Sequence, residues 1–236
     1  MISGGCLAIK EGFMKIKWLG HSCFKAEEND FSIVFDPFMP GSVPGYRDIC
    51  ETADAVCCSH GHGDHSYADA VTLTGRNPEG VKMTCMDIPH DDADGAKRGM
   101  NRITVIEVNG FKIIHFGDIG CSIHDGSWLK DSDIELLKGA DAALIPVGGY
   151  YTIGGREAAE IIKEIRPAYA FPMHYRGKGF GYDVISENSD FLACFPESCI
   201  DFIDSNETEI SKAASGKLLE EGATLIAVLS NKENLK

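Results

Sequence analysis

Ser59-His60-Gly61-His62-Gly63-Asp64-His65 places three imidazoles and a carboxylate within six consecutive positions, 60–65. The stretch follows a short apolar run, 55–59, that reads as a strand buried on both faces, and it precedes a pattern of helical period over 66–74. His60 and His62 are two apart, so in an extended chain their rings lie on one side. Gly61 and Gly63 let the backbone turn sharply, and Asp64 and His65 fall where the chain bends back toward the first two rings. Nitrogen and oxygen donors gathered at the carboxyl end of a strand suit a borderline cation such as zinc. A His-rich surface tract is the competing reading, but such tracts rarely follow a buried strand.

Upstream, the alternation Met14-Lys15-Ile16-Lys17-Trp18-Leu19 opens a meander of short strands at 14–19, 22–26 and 31–36, with Glu27-Glu28-Asn29-Asp30 as the polar turn between the last two. Residues 1–13 are weakly patterned and read as a tail, leaving 14–236 as a single domain. Downstream, strands are expected at 81–86, 103–108 and 111–116. Asn109-Gly110 joins the last two, because both residues tolerate positive φ and so favour a tight hairpin. Later apolar strands fall at 142–147, 168–172 and 224–229. Helical periodicity marks 66–74, 132–138 and 156–165, the last closed by Pro167, with weaker helical patterns at 186–195 and 207–221. Hairpins followed by strand–helix alternation, twice over, imply an α/β chain: two mixed sheets packed face to face with helices outside, a four-layer αββα sandwich.

Composition narrows the function. The chain has 236 residues and a formal charge of −14. That sign disfavours a nucleic-acid grip or an anionic-lipid surface as the main partner, while small anionic substrates stay open because bound metal ions can reverse the field locally. No apolar run approaches the length of a membrane span. Nine scattered cysteines without a CxxC pair argue against a disulfide framework and fit a reducing cytoplasm.

His60-x-His62-x-Asp64-His65 after a strand resembles the signature of the metallo-β-lactamase superfamily. Further matches follow in order: Asp36 in Phe35-Asp36-Pro37, His90 in Ile88-Pro89-His90-Asp91-Asp92, Gly117-Asp118 in His115-Phe116-Gly117-Asp118-Ile119-Gly120, and His174 in Phe171-Pro172-Met173-His174-Tyr175. The resemblance covers about residues 14–230. Trp18-Leu19-Gly20-His21-Ser22, the run from His90 to Gly99-Met100-Asn101, and Ile145-Pro146-Val147-Gly148-Gly149-Tyr150-Tyr151-Thr152 are similar to the ascorbate-6-phosphate lactonase-like branch and related uncharacterised metal-dependent hydrolases, a branch also similar to the N-acyl phosphatidylethanolamine phospholipase D group.

The resemblance implies an αββα sandwich with metals at its open edge. It places His60, His62 and His90 on one metal, and Asp64, His65 and His174 on a second, with Asp118 bridging. It implies a metal-dependent hydrolase in which a metal-bound hydroxide cleaves an ester, lactone or phosphodiester bond of a small molecule. Asp64 would orient that hydroxide and carry the proton to the leaving group. One or two divalent ions are expected, zinc first, with manganese and iron open because the set lacks a cysteine. A nuclease of the same superfamily and a non-catalytic metal-binding regulator are the alternatives, and a homo-oligomer is left open.

The remaining polar residues divide by position. Asp36 is expected to orient a ligand or the 60–65 loop from beneath. His115 and His21 are expected to hydrogen-bond behind the ligands rather than to coordinate, His115 because residues three apart in a strand face opposite sides. Cys121 reads as an ordinary thiol. Arg98, Tyr150, Tyr151 and Tyr175 are the candidate walls of a pocket for an anionic or hydroxylated substrate.

Overall fold

The alternation that opens the meander builds the first sheet. In a computed structural model that describes residues 12–236, β1 (Phe13–Gly20), β2 (Cys23–Glu28) and β3 (Phe31–Phe35) turn Met14, Ile16, Trp18, Phe24, Ala26, Ile33 and Phe35 to the core. The first eleven positions of the expected tail lie outside the described residues, but Phe13 belongs to the fold, paired with Ser211. The short strands β4 (Glu51–Ala53), β5 (Ala55–Cys57) and β6 (Val71–Leu73) follow. Next come β7 (Lys82–Pro89), β8 (Met100–Val108) and β9 (Phe111–His115). Between β8 and β9, Asn109 and Gly110 both take positive φ, +46° and +85°, as the hairpin reading requires.

The second half alternates. Helix α1 (Asp131–Leu137) precedes β10 (Ala142–Pro146), and α2 (Gly155–Ile165) precedes β11 (Tyr169–Met173). The one-turn α3 (Ser189–Leu192) leads to β12 (Ile200–Ile203), then β13 (Glu207–Ser211), α4 (Lys212–Glu221) and β14 (Leu225–Leu229). One sheet runs β13-β1-β2-β3-β5 and the other β12-β14-β11-β10-β9-β8-β7, with β4 and β6 forming a small parallel pair. The two large sheets enclose a common core, and α2 lays Ala158, Ala159, Ile161, Ile162 and Ile165 against the seven-stranded one. This is the αββα sandwich. No described helix is long and apolar enough to cross a membrane, and the eight described cysteines are free.

Three expectations about helices are corrected. Residues 66–74 are a 3-10 turn, Ala68–Ala70, followed by β6, because Val71 and Leu73 pair alongside Glu51 and Ala53 instead of completing a helical face. With the loop 37–50, this pair covers the outer face of the five-stranded sheet, burying Leu19, Cys23, Val34, Phe38, Val43, Tyr46, Ala53 and Val71. The pattern over 207–221 splits: Glu207–Ser211 is the edge strand against β1, and the helix begins at Lys212, its N-terminus capped by the Ser211 hydroxyl. The helix at 186–195 shrinks to the single turn of α3, whose Phe191 packs over Gly155.

Gly20 ends β1 with φ +121°, and an added Cβ would stand 2.5 Å from the Tyr46 ring. Both the backbone and the space exclude a side chain there. Gly20→Ala is expected to lower the unfolding free energy by about 2 kcal/mol, read as a shift in the urea midpoint at constant slope; an unchanged midpoint would mean that this turn is not constrained as described.

Candidate metal centre

Every histidine or aspartate of the centre stands just after a strand. His21 follows β1, Asp36 follows β3, the 59–65 loop follows β5, His90 follows β7, Gly117-Asp118 follows β9 and His174 follows β11. Within each sheet these strands run the same way, because each is either parallel to the next or separated from it by one antiparallel neighbour. Their carboxyl ends therefore form a single edge where the sheets open.

Asp36 fixes the 59–65 loop. Its buried carboxylate accepts the Ser59 N–H (2.7 Å), the Ser59 hydroxyl (2.6 Å) and His65 Nδ1–H (2.8 Å). The Ser59 proton is thus committed to Asp36, so at the 3.0 Å contact between Ser59 Oγ and His60 Nδ1 the ring nitrogen must donate. In both His60 and His65, Nε2 is buried and without a hydrogen-bond partner. Burial tends to raise the Asp36 carboxyl, but the His115 and His65 rings and the Ser59 hydroxyl outweigh it and hold the group ionised.

The other centre residues converge on Asp118. Gly117, at φ +56°, leaves room for Asn101 Oδ1 and Ser59, which a Cβ would strike at 2.2 and 2.5 Å. Asn101 accepts the Asp118 N–H at 2.8 Å and donates to the Phe116 carbonyl at 2.8 Å, locking the turn. Asp118 Oδ2 then lies 3.1 Å from His65 Nε2, 3.1 Å from His174 Nε2 and 3.5 Å from His90 Nε2. His60, His62 and His90 bring donor atoms within 4.8 Å of one another, as do His60, His65 and Asp118, and as do His21, Asp64, His65 and His174. Burial would raise the Asp118 carboxyl, yet the His174 and His65 rings drive it well below the usual carboxylate range. His60 is pushed down to about 3, chiefly by burial and then by His65, so it is an unprotonated donor.

These residues fit divalent ions. Two donors about 2.0–2.1 Å from one ion, at angles of 90–130°, stand about 2.9–3.7 Å apart, the range of the contacts around Asp118. The unpartnered buried atoms include His60 Nε2, His65 Nε2, His174 Nε2 and Asp118 Oδ1, and buried polar atoms seldom stay unpaired unless something else binds them. The set is nitrogen and oxygen only; Cys121 turns away, its Sγ 3.9 Å from the Pro89 carbonyl.

The cleft above the centre has a volume of about 290 Å³ and is lined by His62, Asp64, His90, Arg98, Asp118, Tyr151 and Tyr182. Arg98 and Tyr151 both border this cleft, the guanidinium carbon 5.5 Å from the Tyr151 ring centre. Two expectations are corrected. Tyr175 is only 6% exposed and stacks on Trp18 inside the core. Tyr150 is 64% exposed and borders an adjoining surface hollow instead of the cleft. Tyr182 takes that place, its hydroxyl 2.9 Å from the Ser42 carbonyl and 3.1 Å from Asp64 Oδ2; a lone tyrosine in an irregular loop carries no periodic signal that could have disclosed it. Asp91, first of an acidic run, is buried and accepts the N–H groups of Ala93, Gly95, Lys97 and Arg98, shaping the loop that presents Arg98.

The histidines read as supporting residues behave differently from each other. His115 accepts the Gly117 N–H at Nδ1 and donates from Nε2 to the Ser22 carbonyl (2.9 Å), so both its nitrogens are used. His21 is fully buried and neither of its nitrogens has a partner. Burial and the His174 ring push it down to about 4.

A family model described as a β-lactamase superfamily domain matches residues 15–174. The chain belongs to the metallo-β-lactamase superfamily and is a metal-dependent hydrolase of it. Within it, the chain is similar to UPF0173 metal-dependent hydrolases: 30% identical over 198 residues to that of Thermococcus onnurineus, covering 69% of this chain and 84% of that protein. The Methanocaldococcus jannaschii protein is 31% identical over 186 residues, covering 68% and 83%. A candidate Zn-dependent hydrolase of the superfamily from Thermotoga maritima superposes with a TM-score of 0.67 at 30% identity, over 92% of this chain and 98% of that one.

Asp36→Asn removes the charge that fixes both His60 and His65. Metal affinity, measured by chelator competition, is expected to fall by about 10–100-fold with the circular-dichroism spectrum retained; wild-type affinity would show that the loop holds its donors without Asp36.

Proposed function

We propose that this hydrolase cleaves an ester, lactone or phosphodiester bond in a small anionic molecule, at the cleft lined by Arg98, Tyr151 and Tyr182. The observation that carries the reading is the guanidinium placed over that cleft. Arg98 lies on a Tyr151 face and, among the described residues, no carboxylate comes within ion-pairing distance of it. Arg47, Arg156 and Arg166 are likewise without a carboxylate partner there, but of the described lysines and arginines Arg98 is the one that lines this cleft. In a chain of charge −14 an uncommitted arginine beside the reaction centre is positioned for an external carboxylate or phosphate.

His60, His62 and His90 would hold one ion, and Asp64, His65 and His174 a second, with Asp118 between them. Zinc leads, and manganese or iron also suits a thiolate-free donor set. Divalent ions there supply Lewis acidity and bring the pKa of water toward neutrality. Asp64 receives the proton lost by the attacking water and returns it to the leaving oxygen. Its carboxyl is ionised and so free to accept: burial would raise its pKa, but the His21 and His65 rings outweigh that. Tyr182, whose pKa burial and Asp64 hold above the ordinary phenol value, stays protonated and orients that carboxylate from the cleft side.

Turnover of p-nitrophenyl acetate, bis-p-nitrophenyl phosphate and simple lactones, followed with metal content measured in parallel, tests the reading. Asp64→Asn is expected to cut kcat by about 10²–10⁴-fold. Arg98→Ala is expected to raise KM for anionic substrates about 10–100-fold, the worth of a hydrogen bond to a charged group, while leaving the neutral ester nearly unaffected. Metal-loaded protein inert to every substrate would favour a regulatory role, and salt-sensitive RNA cleavage would favour a nuclease.

A further inference from the structure

The turn between β1 and β2 holds a histidine that the metal assignment above leaves unused. His21 follows Gly20 in the left-handed conformation, φ +52°, which a bulky residue seldom adopts. The turn is anchored on the site: the His21 carbonyl accepts the Trp18 indole N–H at 2.9 Å and the backbone N–H of His174 at 3.3 Å. The ring is fixed 4.0 Å, centre to centre, from that of His174. It is 0% exposed, and neither Nδ1 nor Nε2 meets a hydrogen-bond partner.

His115 shows what a structural histidine looks like in this core. It is equally buried, and both its nitrogens are hydrogen-bonded. His21 instead shares the condition of His174, whose nitrogens are also both unpartnered, and of His60 and His65 at Nε2. Its position matches theirs as well. His21 Nε2 lies 3.6 Å from Asp64 Oδ2, and His65 Nε2 lies 3.7 Å from the same oxygen. Whatever ion Asp64 and His65 share is therefore within the reach of His21, whose donor atom falls within 4.8 Å of those of Asp64, His65 and His174.

We propose that His21 is a ligand of the second metal position, which then draws on His21, Asp64, His65 and His174 besides the bridging Asp118. The inference rests on the two-ion reading of the site. It makes the two positions unequal, with one more imidazole on the second than that reading gives it. Extra N/O donors favour retention of that ion and accommodate a metal preferring more than four ligands.

Cobalt(II) is the probe, because its visible bands report ligand number and type at each position. Two variants suit the left-handed backbone: His21→Asn, since asparagine tolerates positive φ, and His21→Gly, which leaves a ring-sized space. Wild-type protein is expected to take two equivalents. Each variant is expected to bind one of them as wild type does and the other at least tenfold more weakly, with altered bands for the weakened equivalent. Added imidazole is expected to restore both affinity and bands in His21→Gly. Two equivalents with unchanged bands in a folded variant overturn the proposal. So does weakened binding with unchanged bands that imidazole does not repair, which would make His21 only a positioning residue for Asp64. Wild-type protein that takes up no cobalt overturns the two-ion reading itself, an outcome distinct from either of these.

Discussion

The carboxylate of Asp36 is the contact on which the site depends. It sits at the end of β3 in a left-handed conformation, φ +45°, with its own N–H on the Cys57 carbonyl. One oxygen takes the Ser59 N–H, and the other takes the Ser59 hydroxyl and His65 Nδ1–H. A single buried charge thus ties the loop to the sheet, sets the tautomer of His65 directly and sets that of His60 through Ser59. Without it, the pattern His-x-His-x-Asp-His would still exist in the chain, but nothing would decide which ring nitrogens face the centre.

The second constraint is directional. Six strands deliver their following residue to one edge, and the sheets close tightly enough there that small residues become obligatory. Gly117 meets both Asn101 and Ser59, so the turn bearing Asp118 from one sheet rests on the loop held by Asp36 in the other. His115 crosses the same gap, its ring stacked on Phe35 at 5.0 Å and its Nε2 bonded to the Ser22 carbonyl. The two halves of the centre are held in register by apolar burial and by these few cross-sheet contacts, not by the donors themselves. A cluster of unpaired donors repels and desolvates; the sandwich supplies the stability that keeps it assembled.

Much of this was legible in the chain. The four donors of positions 60–65 are close in sequence, so their convergence needs only one turn, whereas His90, Asp118 and His174 were picked out by the ordered motifs of the superfamily resemblance. The alternation of β1 and the Asn109-Gly110 hairpin are equally local. What failed was whatever depends on a distant partner. Residues 66–74 carry a helical pattern, but β6 exists because β4 lies beside it, and β4 itself is three residues with no periodic signature. Glu207–Ser211 is a strand because β1 offers an open edge. The cleft walls were the least legible: Tyr150 and Tyr151 are adjacent, and only the loop's conformation, with Tyr150 at φ +60°, decides that one faces the centre and the other solvent.

The acidity of the chain gains a different meaning beside the centre. A field of net charge −14 repels anions at long range, so an anionic substrate can be held only where the sign is reversed locally. With neutral imidazoles, Asp64 and Asp118 contribute two negative charges to the donor set, fewer than two divalent ions would bring, and Arg98 adds a further positive charge at the mouth. Asp91 is buried outside the cleft lining, its charge stabilised by four backbone N–H groups, so the loop that carries Arg98 is built around a carboxylate already satisfied by its own backbone. With ions held there as proposed, a small positive well in a negative surface would favour compact anions over extended polyanions, whose further charges would lie outside the well. On that reading the electrostatics of the whole molecule, and not the cleft alone, would take part in substrate choice.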